Sequence, residues 1–171
     1  MTKCSICNRK VNFFTEYKCT NCGKSLCSKC IVKVPFDEDI DDLLSRVDND
    51  YKTPYQRLIL RSYYLCKSCS KLYLKKYNAM KEAINNNTDV KTVSDNYQGH
   101  KFDKLHKTIE LQTRYYKSKG DAEDDIKSMA KYLGCTHVLE MSFDRDEDEE
   151  SGPKGGTHYF SIWSASGYAA K

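Results

Sequence analysis

The sequence contains no long apolar segment. No stretch of the 171 residues approaches the roughly 18 consecutive apolar residues that a membrane-spanning helix needs. The chain also does not open with the charged and then apolar stretch that marks a secretory leader. We therefore expect a soluble, cytoplasmic protein.

The chain lacks a strong overall charge, but its two halves differ in sign. The formal net charge is +4. Residues 1–86 carry 16 basic and 9 acidic side chains, whereas residues 87–171 carry 12 basic and 15 acidic ones. Because a polar run, residues 85–88, lies at this change, the composition predicts two domains, residues 1–86 and residues 87–171.

Cysteine, in contrast, is abundant. Eight of the nine cysteines form four pairs, and two residues separate the members of each pair. The pairs are Cys4/Cys7, Cys19/Cys22, Cys27/Cys30 and Cys66/Cys69. Disulfide scaffolds belong to exported chains, and a redox Cys-x-x-Cys site needs one pair rather than four. Two such pairs supply the four thiolates of a closed, structural zinc site, so the spacing predicts two Zn²⁺ ions.

The spacing leaves open which pairs share an ion. Two sequential sites would combine the first pair with the second and the third with the fourth. An interleaved arrangement, called a cross-brace, would combine the first with the third and the second with the fourth. In either case the thiolates and zinc ions together leave the first domain at about +3, which is too little to predict a specific nucleic-acid partner.

The stretch CSICNRKVNFFTEYKCTNCGKSLCSKC, together with YLCKSCSKLYLKKY, resembles the FYVE-type zinc finger. The resemblance covers residues 1–85, with Gly23 at the glycine position of the family and Phe13 and Phe14 in its apolar loop. It implies a small α+β finger with a cross-brace, in which the last cysteine pair leads into a helix. The implied ligands are Cys4, Cys7, Cys27 and Cys30 for one ion and Cys19, Cys22, Cys66 and Cys69 for the other.

The phosphoinositide-binding motifs of that family are missing. Its lipid-binding members carry Trp-x-x-Asp before the first cysteine and a basic, histidine-containing string next to the third. Here only three residues precede Cys4, and Glu16, Tyr17 and Lys18 occupy the place of the basic string. Because a phosphate group needs Arg forks or imidazolium donors, we expect no specific phosphoinositide site.

Residues 37–65 form an insertion in this finger, and we predict a helical pair with an acidic outer face. The first helix follows Asp37 as N-cap. Its apolar residues at helical spacing are Ile40, Leu43, Leu44 and Val47. The second helix is predicted from Pro54 to about Leu65. A further helix follows Cys69, with an apolar stripe of Leu72, Tyr73, Tyr77, Met80 and Ile84.

Residues 87–171 predict a second small α+β domain. Strand patterns cover residues 90–97, 108–113, 136–143 and 157–170. A helix is predicted over residues 120–134, with Asp121 near its N-cap and Gly134 as its stop. Residues 144–156 predict an acidic, solvated loop, because they lack the ligand spacing of a calcium site. The order β-β-α-β-β predicts one helix on an antiparallel sheet.

In this second domain, MAKYLGCTHVLEMSFD followed by FSIWSASGYAA resembles the bacterial YbjQ-like domain, whose family label is heavy-metal binding. The matching positions are Ala130, Gly134, Val138, Ser166, Gly167 and Ala169. The resemblance covers residues 90–171 and implies a homo-oligomer. No catalytic set of residues is evident here, and the unpaired Cys135 is predicted to be a small buried hydrophobe.

Together these features predict a non-enzymatic, zinc-binding adaptor that presents its finger and insertion to a protein partner and oligomerises through the second domain. The first alternative is a peripheral membrane module, with Phe13, Phe14 and Lys18 as the contact with the membrane or with a partner. The second alternative is a RING-like ubiquitin ligase. RING fingers share the cross-brace but place a histidine among the central ligands, and no histidine precedes His100 in this chain.

Overall fold

A computed structural model describes residues 2–12, 14–51, 62–152 and 155–171. By internal contacts the chain separates into two compact units, Met1–Ala79 and Met80–Lys171. This division falls inside a helix, whereas the change in composition places it at residue 87. No helix in the described ranges is long and apolar enough to cross a membrane.

The N-terminal unit contains very short strands. β1 (Thr2–Lys3) pairs with β2 (Lys10–Val11), β3 (Tyr17–Lys18) with β4 (Ser25–Leu26), and β5 (Ile31–Pro35) with β6 (Ser62–Cys66), all antiparallel. Helix α1 spans Glu38–Val47, and helix α2, which begins in this unit, spans Lys67–Asn85. Strands of two residues bury almost no surface, so β1 to β4 depend on other contacts.

Helix α1 occupies the place of the first helix of the insertion. The Asp37 carboxylate caps it by accepting the Ile40 N–H at 3.3 Å. The predicted second helix is wrong at its end, because Ser62–Cys66 is strand β6, and its predicted start at Pro54 lies outside the described residues. Successive residues of β6 are buried, so this strand lacks the polar alternation that distinguishes a strand from a buried helix.

Asp41 points into the unit and not to the acidic outer face predicted for the insertion. It is 4% exposed, and its carboxylate accepts hydrogen bonds from the hydroxyls of Tyr51, of Tyr63 at 2.9 Å and of Tyr73 at 3.4 Å. Burial raises the pKa of Asp41, and the three hydroxyl donors partly offset that rise. Because Tyr63 lies on β6 and Tyr73 on α2, this Asp41–tyrosine cluster ties α1 to both elements.

The C-terminal unit contains a four-stranded sheet in the order β7-β9-β10-β8. Its elements are β7 (Lys91–Ser94), β8 (Lys107–Gln112), helix α3 (Lys119–Tyr132), β9 (His137–Ser151) and β10 (Thr157–Ala170), with a 3-10 turn at Asn87–Asp89. The order β-β-α-β-β agrees with the prediction. β10 runs antiparallel to β8 and β9, but β7 pairs with β9 in parallel, so a fully antiparallel sheet is wrong at this pairing.

The parallel pairing follows from the connections between the strands. β8 and β9 flank β10 and both run opposite to it, so helix α3 has to carry the chain back along the sheet between them. β7 adds to the outer edge of β9 in the same direction. In the described part of this sheet, β9 and β10 are consecutive strands joined as a hairpin, and a hairpin makes its two strands antiparallel.

Helix α3 and the face of the sheet beneath it form the core of this unit. The N-cap is Ser118, whose hydroxyl accepts the Asp121 N–H at 3.1 Å, so Asp121 lies near the cap as predicted. Gly134, at φ 70°, ends the helix as predicted. Fully buried residues of the helix and strands are Ala122, Ile126, Met129, Ala130, Val138, Ala165 and Ala169. Cys135 is buried, as expected of a small hydrophobe.

The acidic segment after residue 143 is a strand and not the predicted loop. β9 continues through it to Ser151 and pairs with β10 at every position from Asp144 onward. The paired part of β10 supplies the strand-favouring residues Phe160, Ile162 and Trp163. The acidic residues are therefore held extended by cross-strand pairing, which their own composition does not indicate.

Replacing Asp41 by alanine should lower the free energy of unfolding by about 2–4 kcal/mol, because three hydroxyls lose their common acceptor. Glu38→Ala, at an exposed position of the same helix, is the matched control, and we expect a loss of at most about 1 kcal/mol there. Urea titration of the metal-loaded protein measures both losses. Equal losses for the two variants would contradict the role assigned to the Asp41–tyrosine cluster.

Candidate metal centres

The first two cysteine pairs lie on two turns with the same geometry. In each turn the fourth residue after the first cysteine donates its N–H to the carbonyl of that cysteine, Asn8 to Cys4 at 2.9 Å and Gly23 to Cys19 at 2.8 Å. Both donors have a positive φ, 56° at Asn8 and 71° at Gly23. Asparagine and glycine are the residues that adopt this conformation most readily. The sequence marks both turns by placing these residues directly after the second cysteine.

The third and fourth pairs have different supports. Cys27 and Cys30 lie on a turn between β4 and β5, where the Cys30 N–H donates to the Cys27 carbonyl at 2.9 Å. Cys66 ends β6, and Cys69 lies in the first turn of α2. In the ladder of β5 with β6, Ile31 is opposite Cys66. This short ladder therefore brings the third pair next to the fourth, although 35 residues separate them in the sequence.

The eight sulfurs collect into two groups of four. Within each group, all four Sγ atoms lie within 4.8 Å of one another. The first group is Cys4, Cys7, Cys27 and Cys30, and the second is Cys19, Cys22, Cys66 and Cys69. The Sγ atoms of Cys7 and Cys27 are 3.7 Å apart, and those of Cys22 and Cys66 are 3.9 Å apart. A tetrahedral zinc ion with Zn–S bonds of about 2.3 Å separates its ligands by about 3.8 Å, so both groups fit such an ion.

The thiols of the first group differ strongly in acidity. Burial raises the pKa of Cys4, but the backbone N–H groups of Cys7, Ile6 and Cys27 outweigh that effect and lower the pKa to about 6. The pKa of Cys30 is raised to about 12, first by its hydrogen bond to the Cys7 sulfur and then by burial. Crowded sulfurs do not all ionise by themselves, whereas a divalent cation among them favours the thiolate at all four positions.

The second group shows the same difference and includes contacts that sequence reasoning missed. Backbone N–H donors, including Cys66 N at 3.3 Å, outweigh the effect of burial on Cys19 and lower its pKa to about 7. Burial and the neighbouring sulfurs raise the pKa of Cys69 to about 12. The Asn21 amide donates to the Cys69 sulfur at 3.4 Å. Asn21 thus supports a ligand 48 positions away in the sequence. Its position inside the second Cys-x-x-Cys is the one sequence signal that could have indicated this role.

The residues predicted to contact a membrane or partner are not part of either sulfur group. Phe14 is 90% exposed and Lys18 is exposed on β3, while Phe13 lies outside the described residues. The Ser25 hydroxyl donates to Glu16 at 2.6 Å and holds the pKa of that carboxyl below its usual range. Glu16 therefore places an ionised carboxylate directly before β3.

Comparison with known proteins gave no match, whether to a family model, to a curated protein or to a solved structure. The two metal groups therefore rest on donor chemistry and sulfur geometry alone. The resemblances to the FYVE-type finger and to the YbjQ-like domain stay predictions.

The interleaved grouping predicts different metal losses for two double variants. Cys7→Ser/Cys30→Ser removes two ligands from one group, so the protein should lose one metal ion and keep the other. Cys7→Ser/Cys22→Ser removes one ligand from each group, so both ions should be lost on dialysis. Native mass spectrometry counts the ions. Sequential sites would reverse the two results, and that reversal would overturn the grouping.

Proposed function

We propose that this protein is a zinc-binding, non-enzymatic interaction protein whose N-terminal unit is a FYVE-like double-zinc finger. The proposal is carried by the two groups of four cysteines, because four thiolates complete the coordination of a tetrahedral zinc ion and leave no position for a substrate. Calcium and magnesium prefer oxygen ligands, so a set of four sulfurs argues against them. A closed site of this kind acts on folding and not on catalysis.

The small core of the finger supports a structural role for zinc. The buried cluster beside the first sulfur group consists of Cys4, Val11 and Cys27, with Cys30 packed against it. Three of these four residues are ligands of that group. Without a cation the same residues would have to pack as thiols, on strands that are only two residues long. The conformation of this region should therefore depend on zinc.

The proposed interaction role draws on the side chains that the finger leaves exposed. Ile6, Phe14 and Leu72 are large apolar residues with exposed fractions of 51%, 90% and 54%. We expect these three side chains and helix α1 to form the surface of this unit that contacts a protein partner. The resemblance of residues 90–171 to the YbjQ-like family supports a homo-oligomer through the C-terminal unit.

Native mass spectrometry should find two zinc ions per chain. Chelation with EDTA should then abolish the hydrogen-exchange protection of β5 and β6, because the end of this ladder at Ile31 and Cys66 adjoins both sulfur groups. Helix α3 belongs to the unit without sulfur groups and serves as the internal control, so its protection should persist. One zinc ion, none, or unchanged protection of β5 and β6 after chelation would contradict the proposal.

A second candidate function, weak membrane contact, is favoured by the exposure of Phe14. Vesicle flotation should then fall about tenfold in Phe14→Ala, since burial of a phenylalanine side chain stabilises binding by about 1.5–3 kcal/mol. Leu72→Ala, also an exposed apolar residue, is the control and should float as the unchanged protein does. Phosphatidylinositol 3-phosphate should make no difference, and a strong dependence on it would contradict the loss of the lipid-binding motifs.

A further inference from the structure

One face of the C-terminal sheet is not covered by helix α3. Leu111 is buried and belongs to the face that α3 covers, and residues at alternate positions point the other way. Glu110 and Tyr168, which are opposite one another in the ladder of β8 with β10, lie on that other face, here called the open face. Phe102 and Leu105 cover only one end of it, where they pack on Val93, Leu139 and Ala170.

Strand β9 carries a row of carboxylates along the open face. This acidic row consists of Asp144, Asp146, Asp148 and Glu150, which occupy alternate positions and are all exposed. On the neighbouring strand, Ile162 is opposite Asp146 and Phe160 is opposite Asp148. A molecule lying along this part of the sheet would meet carboxylates on β9 and apolar side chains on β10.

Two lysines of the chain already show how the open face holds a cation. The Lys107 ammonium lies 4.8 Å from the centre of the Tyr168 ring and pairs with Glu140. The Lys117 ammonium lies 4.5 Å from the centre of the Phe160 ring and 3.2 Å from the last carboxylate of the acidic row. In both places an ammonium group has an aromatic ring on one side and a carboxylate on another.

A cavity of about 430 Å³ on the open face offers more of the same groups. Glu140 and Tyr168, which hold Lys107, are part of its lining, and Asp95, Glu110 and Tyr97 add two further carboxylates and one further ring. No lysine, arginine or histidine is among its lining residues within the described ranges, although Lys107 reaches two of them. Nor do these carboxylates, among the residues the structure describes, approach one another closely enough to form a metal group. The cavity therefore suits a larger organic cation, such as a lysine or arginine side chain.

We propose that the open face binds a Lys- and Arg-rich segment of a partner protein, with one basic side chain in the cavity and others along the acidic row. This inference rests on the interaction role proposed above and adds the class of partner. Charge selects against other occupants. A second copy would bring carboxylates against carboxylates, and nucleic acids and anionic membranes carry the same sign as the acidic row.

The spacing of the carboxylates in the acidic row determines the spacing of lysines in a suitable peptide probe. In an extended strand, side chains on one face recur every second residue, about 6.8 Å apart. A fluorescent peptide of about 12 residues that alternates lysine with serine therefore places its ammonium groups at the spacing of the carboxylates. The same peptide with glutamine in place of lysine is its control. Fluorescence anisotropy with the full-length, zinc-loaded protein should show binding of the lysine peptide only, weakening as salt rises.

Two double variants separate the open face from simple net charge. Asp146→Asn/Asp148→Asn neutralises two carboxylates of the acidic row, and the affinity for the lysine peptide should fall about tenfold. Glu147→Gln/Glu149→Gln makes the same charge change at the intervening positions of the same strand, which face the other way. Its affinity should stay within about twofold of the unchanged protein. Glu110→Gln in the cavity should also weaken binding.

The result that overturns the inference is an equal loss of affinity in the two double variants, or equal binding of the lysine and glutamine peptides. Thermal unfolding of each variant checks that these exposed substitutions leave the fold intact. Zinc counting by native mass spectrometry keeps this test apart from the proposed function. A protein with two zinc ions but no selective peptide binding contradicts only the docking site, whereas a protein without zinc contradicts the zinc-finger proposal.

Discussion

The N-terminal unit depends on one constraint, the crowding of four sulfur atoms within 4.8 Å of one another at each of two places. Backbone N–H donors lower the pKa of Cys4 to about 6 despite its burial, whereas the neighbouring Cys7 sulfur and burial raise the pKa of Cys30 to about 12. A divalent cation removes this conflict, because it favours the thiolate at all four positions. The turns and two-residue strands around the sulfurs contribute little stability of their own.

Away from the sulfur groups, the same unit uses a second kind of polar interior. Asp41 is buried, and its carboxylate accepts hydrogen bonds from three tyrosine hydroxyls. Hydroxyl donors can stabilise a buried carboxylate, but each of them must come from an element that is already in place. Strand β6 carries both Tyr63 of this cluster and the ligand Cys66. The second sulfur group and the Asp41–tyrosine cluster therefore share strand β6, and both depend on its pairing with β5.

The C-terminal unit is organised by the separation of its two sheet faces. One face packs small side chains such as Ala165 and Ala169 beneath α3, which allows close contact between helix and sheet. The other carries carboxylates, rings and two lysines held by them. Because the side chains of β9 alternate between the faces, its long acidic part presents carboxylates on both sides and is held in the sheet by its pairing with β10. Much of the acidic excess of residues 87–171 therefore lies on this part of β9.

Local features of the sequence determined the ligand set, the positive-φ turn at Gly23, helix α1 behind its Asp37 cap and the end of α3 at Gly134. Each depends on residues a few positions apart, so its physical cause is visible in a short window. The grouping of the cysteine pairs, the strand Ser62–Cys66, the parallel pairing of β7 and the extension of β9 through its acidic residues were decided by tertiary structure. In these cases the stabilising partner lies far away in the chain. Cys4 meets Cys27, β6 needs β5, and Asp148 is held extended by Phe160, and no property of a single segment records which distant segment it will meet.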